Sequence, residues 1–173
     1  MIENNVIEVT GINNSGGRIF QVTGGPLDVT IRHNTAFTVS STGTLGFVEN
    51  VPLADQFDFR DNIISNGAFG FSGTGTGPGT GTLNAYFTNF TFTKNAIIGG
   101  FGTYPIGNFF PINEAAVGFV NFVGGNYTLA AGSPFRNAAT DGKDLGADIA
   151  ALVAAGGGGF VSGVPTPTNA KAQ

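Results

Sequence analysis

Charged side chains are rare in this chain, and many of them lie just before four asparagines. Of the 173 residues only 10% are charged, comprising 11 acidic residues and 7 Lys or Arg, and there is 1 histidine. Seven of these residues stand one to four positions before Asn5, Asn34, Asn62 or Asn95. They are Glu3, Arg32, His33, Asp58, Arg60, Asp61 and Lys94. This concentration makes them the first candidates for chemistry.

Carboxylates beside guanidinium groups could cleave an acidic polysaccharide. A lyase needs carboxylates to hold Ca²⁺ and a base beside the uronate carboxyl; Asp58 and Asp61 could ligate the ion, and Arg32 or Arg60 could act as the base. A hydrolase needs two carboxyls roughly 5–9 Å apart, whereas Asp58 and Asp61 lie roughly 10 Å apart along one strand and on different faces. The catalytic candidates are therefore Asp58, Arg60 and Arg32, and the binding candidates are Glu3, His33, Asp61 and Lys94.

The same residues also have a purely structural interpretation. Glu3 with Arg32, or Asp58 with its arginine neighbours, would form solvated ion pairs that each stabilise the fold by at most about 1 kcal/mol. Neither a lyase site nor a hydrolase site is complete, so the sequence alone does not indicate an enzyme.

A second acidic segment raises the question of a bound ion. "TDGKDLGAD" (140–148) offers Asp141 and Asp144 as candidate Ca²⁺ ligands, but it lacks the spacing and the terminal Glu of an EF-hand loop. We therefore expect no cofactor, with Ca²⁺ as the alternative.

The four asparagines mark a repeat that must position the charged side chains. Their spacings are 29, 28 and 33 residues. Three positions before them stand Ile2, Ile31, Phe59 and Phe92, and two positions after them stand Ile7, Ala36, Ile64 and Ile97. The longest interval contains "GTGTGPGTGT" (73–82), a predicted loop in which an insertion of about five residues accounts for the extra length. A fifth unit is predicted at "VGFVNF" (117–122).

A repeat of this length is typical of a solenoid. Its segments are short, alternate between apolar and polar residues and favour Phe, Ile, Val and Thr, which indicates strands; in one unit these are predicted at 57–60, 63–65 and 68–72. Asparagine tolerates the left-handed backbone and can hydrogen-bond to a like side chain one coil away, so Asn5, Asn34, Asn62 and Asn95 are expected to form a ladder of turns. The predicted fold is all-β, a right-handed parallel β-helix of about five coils.

The two ends of the repeat differ. "DLGADIAALVAA" (144–155) is predicted to be a short helix, N-capped by Asp144 or Asp148, that covers the last coil. Residues 1–155 are thus expected to form one domain, and 156–173 a flexible tail rich in Gly and Pro. The first coil has no comparable cover, so further β-helix coils or another subunit are expected to stack at the N-terminal end.

Composition restricts the partners. A net charge of −4 and a pI of about 4.6 argue against nucleic acid, which normally binds a basic face. The sequence contains no stretch that approaches a transmembrane span, and without cysteine it cannot form disulfides or cysteine-based metal sites.

The repeated phrases resemble those of a known group of proteins. "IRHNTAF", "FRDNIIS" and "FTKNAII" look like the coil motif of bacterial right-handed parallel β-helix proteins of the pectate-lyase superfold, and residues 125–152 are similar to the last coil and terminal segment of many secreted members. The resemblance implies an extracellular or cell-surface protein of which this chain forms the C-terminal coils. Two functions follow: a structural or binding module (scaffold, adhesin or fibre subunit), or the C-terminal part of a lyase or hydrolase acting on acidic polysaccharide.

Overall fold

Short parallel strands predominate in the computed structural model, which describes residues 1–9, 17–38, 42–49 and 52–156. The first sheet contains, in spatial order, β1 (Ile2–Glu3), β4 (Thr30–Arg32), β7 (Phe57–Arg60) and β10 (Phe90–Thr93). The second contains β2 (Val6–Val9), β5 (Thr35–Thr38), β8 (Ile63–Ser65) and β11 (Ala96–Ile98). The third contains β3 (Arg18–Val22), β6 (Thr44–Val48) and β9 (Phe71–Gly73). Every strand pairing in these sheets is parallel, which confirms the predicted mostly-β class with parallel sheets.

The predicted apolar columns match the observed register. Ile2 pairs with Ile31, Ile31 with Phe59, and Phe59 with Phe92 in the first sheet. The second sheet aligns Ile7, Ala36, Ile64 and Ile97 in the same way. Both columns face one interior core, in which the rings of Phe59 and Phe92 stack with centroids 4.8 Å apart.

The asparagines form the expected ladder between the first and second sheets. The Nδ2 of Asn34 donates to Asn62 Oδ1 at 3.0 Å, and the Nδ2 of Asn62 donates to Asn95 Oδ1 at 2.9 Å. The ladder extends further than predicted, because Asn95 donates in turn to Asn108 Oδ1 at 2.9 Å. We call each ladder asparagine and its two flanking segments a rung. Asn34, Asn62 and Asn95 are fully buried.

The left-handed turn lies one residue earlier than predicted. At these turns, positive φ occurs at the residue just before the ladder asparagine: Asn4 (55°), His33 (49°), Asp61 (60°) and Lys94 (55°). Because of this bend, the backbone carbonyl two positions before each asparagine faces the side-chain amide of that asparagine. Asn62 Nδ2, for example, donates to Arg60 O at 2.8 Å. The asparagine therefore serves as the hydrogen-bonding rung, and its neighbour makes the turn.

Part of the predicted Gly/Thr loop is a helix. α1 (Thr80–Tyr86) begins inside residues 73–82. Its residues Thr82, Leu83 and Tyr86 are buried, and Leu83 and Tyr86 belong to the interior core. Burial of this apolar face compensates for the poor helix propensity of the glycines and threonines at its start.

The predicted fifth unit at 117–122 was wrong. There α2 (Glu114–Val117) is followed by β12 (Phe119–Asn121), which pairs in the antiparallel sense with β13 (Asn126–Leu129). Gly118 ends α2 with a left-handed φ of 78°, and the short loop after β12 favours a hairpin over another parallel crossover. The fifth ladder asparagine is instead Asn108.

The hairpin and the segment after it cover the outer face of the second sheet. Phe37, Ile63 and Ile98 point away from the interior core and pack in a second core with Tyr127 and Leu129. A sheet buried on both faces needs apolar residues at successive positions, which explains the burial of all three residues of β8 and β11.

The C-terminal helix forms but lies elsewhere than predicted. α3 (Ile149–Gly156) is N-capped by Asp148, whose Oδ1 accepts from Ala151 N at 2.9 Å. Asp148 N donates to Asn4 Oδ1 at 2.7 Å, so α3 begins beside the first rung and not over the last one. None of its residues is fully buried. Of the predicted tail, Gly156 ends α3 and residues 157–173 lie outside the described residues.

In the described part of the chain, no helix has the length and apolarity required to cross a membrane.

Candidate functional site

The outward side chains of the first sheet carry the predicted catalytic residues. We call Glu3, Arg32, Asp58 and Arg60 the charged face. Arg32 Nε lies 3.0 Å from Glu3 Oε1, and Arg32 Nη2 donates to Glu3 Oε2 at 3.2 Å. Arg60 Nη2 lies 3.3 Å from Asp58 Oδ2. Both arginines are thus paired with carboxylates, so a proton abstraction by either would require deprotonating a guanidinium held by an ion pair.

Asp58 is the least satisfied group on the charged face. Its side chain is 24% exposed, and its Oδ1 is buried without a hydrogen-bond donor among the described residues. Burial raises the pKa of Asp58, while the charges of Arg60 and Arg32 act in the opposite direction. These features suit a general acid more than a Ca²⁺ ligand, which must be ionised.

Asp61, in contrast, serves as a structural anchor. It is 1% exposed and accepts from Thr140 N at 2.7 Å and from Thr140 Oγ1 at 2.5 Å. Its own carbonyl accepts from Gly146 N at 2.9 Å. Asp61 therefore holds the C-terminal segment against the ladder turns, and its carboxylate is already engaged by Thr140.

The other predicted binding residues do not converge on one point. His33 is 9% exposed, with Nε2 3.3 Å from Asp141 Oδ2 and 3.9 Å from Asp61 Oδ2. The Lys94 ammonium lies 5.4 Å from the centre of the Phe109 ring. Glu3 is held by Arg32. His33 and Asp61 approach each other in successive turns, whereas Glu3 lies in β1 and Lys94 in the following turn, and each has a partner inside the chain.

The Ca²⁺ candidates are paired with cations. Asp141 lies 3.2 Å from the Lys143 ammonium as well as near His33. Asp144 lies 3.6 Å from Arg136 Nε and accepts from Asn137 N at 2.9 Å. Among the described residues no three His, Asp or Glu side chains come together as metal ligands do.

A different concavity, beside the third sheet, combines aromatic rings with polar groups. This aromatic cleft has a volume of about 500 Å³ and is lined by Phe47, Phe69, Phe101, Arg18 and Thr103, among others. Phe69 and Phe101 remain 62% and 55% exposed, although large apolar side chains usually lie inside. The Arg18 guanidinium lies 4.1 Å from the centre of the Phe47 ring.

The floor of the aromatic cleft is rigid. Tyr104 donates its hydroxyl to Asn66 Oδ1 at 2.6 Å and accepts from Phe71 N at 3.0 Å. Burial raises the pKa of Tyr104 to about 12, so its hydroxyl stays protonated at neutral pH. Beside it, Thr103 Oγ1 is buried with no hydrogen-bond partner in the described part of the chain. The cleft offers flat apolar faces and a guanidinium, which is a binding surface rather than an acid–base pair.

Sequence reasoning missed the aromatic cleft because the phenylalanines were assigned to the core. A local signal did exist. Phe69 lies between Gly67 and Gly70, both with positive φ, and Phe101 follows Gly99, which also has positive φ. Glycine-flanked aromatic residues outside the strand columns are typical of loops that display a ring to solvent.

Comparison of the chain with known protein families, with curated proteins and with solved structures found no match.

Proposed function

We propose that this chain is a non-catalytic structural and binding module, built as a right-handed parallel β-helix of a secreted or cell-surface protein. Support for this fold comes from the ladder, whose rungs Asn5, Asn34, Asn62 and Asn95 are separated by 29, 28 and 33 residues, and from the three parallel sheets in register. Stacked units in which each rung contacts only its neighbours are the physical basis of solenoids. The extracellular location is part of the proposal.

The observation that carries the binding function is the aromatic cleft. Phe69 and Phe101 expose rings at a cleft with a rigid floor, and a sugar ring presents a flat C–H face that can stack on them. Arg18 lies over Phe47 and 3.9 Å from the exposed Glu49 carboxylate, a weak surface pair, so its guanidinium can still donate to a carboxylate-bearing sugar. The ligand proposed is therefore an acidic polysaccharide.

The charged face supports the non-catalytic part of the proposal. Both arginines are engaged by carboxylates, and Asp61 accepts two hydrogen bonds from Thr140. The groups that were predicted to serve as a lyase base or as carboxyl catalysts are therefore already engaged within the chain.

One observation favours the alternative function, polysaccharide cleavage at the charged face. Asp58 has a raised pKa and a buried, unpartnered Oδ1, the features of a general acid. If it acts so, Asp58→Asn should abolish cleavage of an acidic polysaccharide while leaving the melting temperature almost unchanged.

Affinity electrophoresis through gels containing acidic or neutral polysaccharides tests the binding proposal. Phe69→Ala and Phe101→Ala should each weaken retention by about fivefold, because stacking on an aromatic ring contributes on the order of 1 kcal/mol. Arg18→Gln should weaken retention by the acidic gels alone. Leu53→Ala, at another residue that is 53% exposed, is the control and should leave retention unchanged. Equal retention of the wild type and the two Phe variants would refute the aromatic cleft as the site.

A further inference from the structure

The asparagine ladder has a direction. Each of Asn5, Asn34, Asn62 and Asn95 donates from its backbone N–H and its Nδ2 to the Oδ1 of the next asparagine along the chain. The two ends are therefore unlike. In the described part of the chain, Asn5 Oδ1 accepts no such pair, and the backbone N–H of Asn108 has no acceptor.

The first rung leaves its interior side chains partly uncovered. Along the first-sheet column, Ile2 is 39% exposed, whereas Ile31, Phe59 and Phe92 are 2%, 0% and 3% exposed. The second-sheet column shows the same difference, since Ile7 is half-buried and Ala36 is fully buried. Each interior rung is therefore covered by its neighbour, whereas the side chains of the first rung stay partly exposed.

The last rung presents apolar side chains around Asn108. In residues 105–112, Ile106 is 98% exposed, Ile112 is 82% exposed and Phe110 is 37% exposed. Phe109 N donates to Asn95 O at 2.8 Å, which fixes this segment on the rung before it. Three exposed apolar side chains on eight residues form an apolar patch of the kind that marks an interaction surface.

We propose that copies of this chain stack end to end, the last rung of one copy against the first rung of the next. Asn108 of one copy would donate from its N–H and Nδ2 to Asn5 Oδ1 of the other, continuing the ladder with the same polarity. The exposed face of Ile2 would be covered by the partner's last rung, including its Ile106 and Ile112 side chains.

A second copy fits as the occupant because the described chain carries both complementary ends, an unpaired N–H donor at Asn108 and a free Oδ1 acceptor at Asn5. Donors at one end and an acceptor at the other are complementary to each other and not to themselves, so two like ends cannot continue the ladder. Such a contact is heterologous and does not close by two-fold symmetry; it permits chains of more than two copies.

Sedimentation velocity over a range of concentrations tests the association. The wild type should form dimers and longer species as its concentration rises. The double variant Ile106→Lys with Ile112→Lys should associate at least about tenfold more weakly, and it should fold because both side chains are exposed. Val123→Lys, at a residue 89% exposed in the β12–β13 hairpin loop, is the matched control and should associate like the wild type. A wild type that stays monomeric at every concentration would overturn the proposal. In that case another part of this chain would cover the first rung.

Cross-linking tests the direction. The chain has no cysteine, so Ile2→Cys and Ile106→Cys each introduce a single thiol. When the two variants are mixed with a short bismaleimide, mixed dimers should predominate over dimers of either variant alone. A predominance of Ile106→Cys homodimers would contradict head-to-tail stacking even if the protein associates.

Discussion

The first and second sheets flank the same asparagine ladder, but their outer faces have different surroundings. The first sheet presents Glu3, Arg32, Asp58 and Arg60 to solvent. The second sheet presents Phe37 and Ile63 to a second core built by the C-terminal half of the chain. The ladder turns therefore divide a solvated surface from a buried one. The residue that joins the two is Asp61, which lies in the turn and binds Thr140.

The outward side chains of the two sheets should differ in how much they contribute to the stability of the fold. On the second sheet an outward side chain contributes as much burial as an inward one, so its loss leaves a cavity. On the first sheet an outward side chain is in exposed ion pairs of small net value.

Replacing an outward aromatic residue of the second sheet should have the largest effect. Phe37 is 3% exposed, and its ring centroid lies 5.0 Å from those of Phe122 and Tyr127. Phe37→Ala should lower the free energy of unfolding by about 3–5 kcal/mol in urea denaturation. The matched change on the first sheet, Thr91→Ala at an exposed outward position, should cost under about 0.5 kcal/mol. Similar values for the two variants would show that the second core does not stabilise the fold.

Breaking the ladder in its middle should cost somewhat less. Asn62 accepts from Asn34 N and Nδ2 and donates to Asn95, Arg60 and Ile31, all in a buried position. Asn62→Leu should lower the free energy of unfolding by about 3 kcal/mol, because it leaves several buried polar groups unpaired. Asn121→Leu, in an exposed position of β12, should cost under about 1 kcal/mol. If Asn62→Leu were as stable as Asn121→Leu, the hydrogen bonds of the ladder would not contribute to the stability of the fold.

Asp61 and Asp58 lie three residues apart and should differ in their structural value. Asp61→Asn keeps a side chain that tolerates a φ of 60° but removes an acceptor for Thr140, so it should cost about 1–2 kcal/mol. Asp58→Asn, on the charged face, should change the free energy of unfolding at neutral pH by less than about 0.5 kcal/mol. Hydrogen exchange at the amide of Thr140 should speed up in the first variant alone. Equal exchange rates in both would remove Asp61 from its anchoring role.

The smallest effect should be in the pH dependence. Burial raises the pKa of Asp58 in the folded chain, so this group favours folding at low pH and opposes it increasingly as the pH rises through the folded pKa. Hydrogen bonds from Thr88 and Asn89 lower the pKa of Asp55, so its contribution is present above the usual pKa and is lost as the pH falls through the folded value. Relative to wild type, Asp58→Asn should therefore gain stability with rising pH, and Asp55→Asn should lose it. Parallel stability curves between about pH 3 and pH 7 would contradict both assignments.

The sequence predicted the parts of the fold that repeat. The columns of Ile31 and Ile64, the ladder and the mostly parallel sheets follow from fixed offsets around each asparagine, since a shift of one residue would turn every side chain to the other face. The second core could not be predicted this way. Phe119 lies 27 residues after Phe92, as in a further repeat, yet it pairs with Leu129 because a left-handed Gly118 and a short loop favour a hairpin.

The candidate site was only partly predictable for a related reason. Ion pairs such as Glu3 with Arg32 follow from strand register and were expected from the sequence. The aromatic cleft depends on where loops of different rungs meet, and Phe69 and Phe101 are 32 residues apart with no shared offset from the ladder. Pattern reasoning detects periodic positions, and loop-borne rings are outside the period.

We propose that this chain binds acidic polysaccharide without cutting it. The direct measurement is to incubate the wild type with a panel of acidic polysaccharides, with and without Ca²⁺, and to follow both retention and new chain ends. We expect retention that depends on Phe69 and Phe101, with no new reducing or unsaturated ends under either condition. Cleavage that is lost in Asp58→Asn and Arg60→Ala at unchanged melting temperature would contradict it and establish the charged face as an active site.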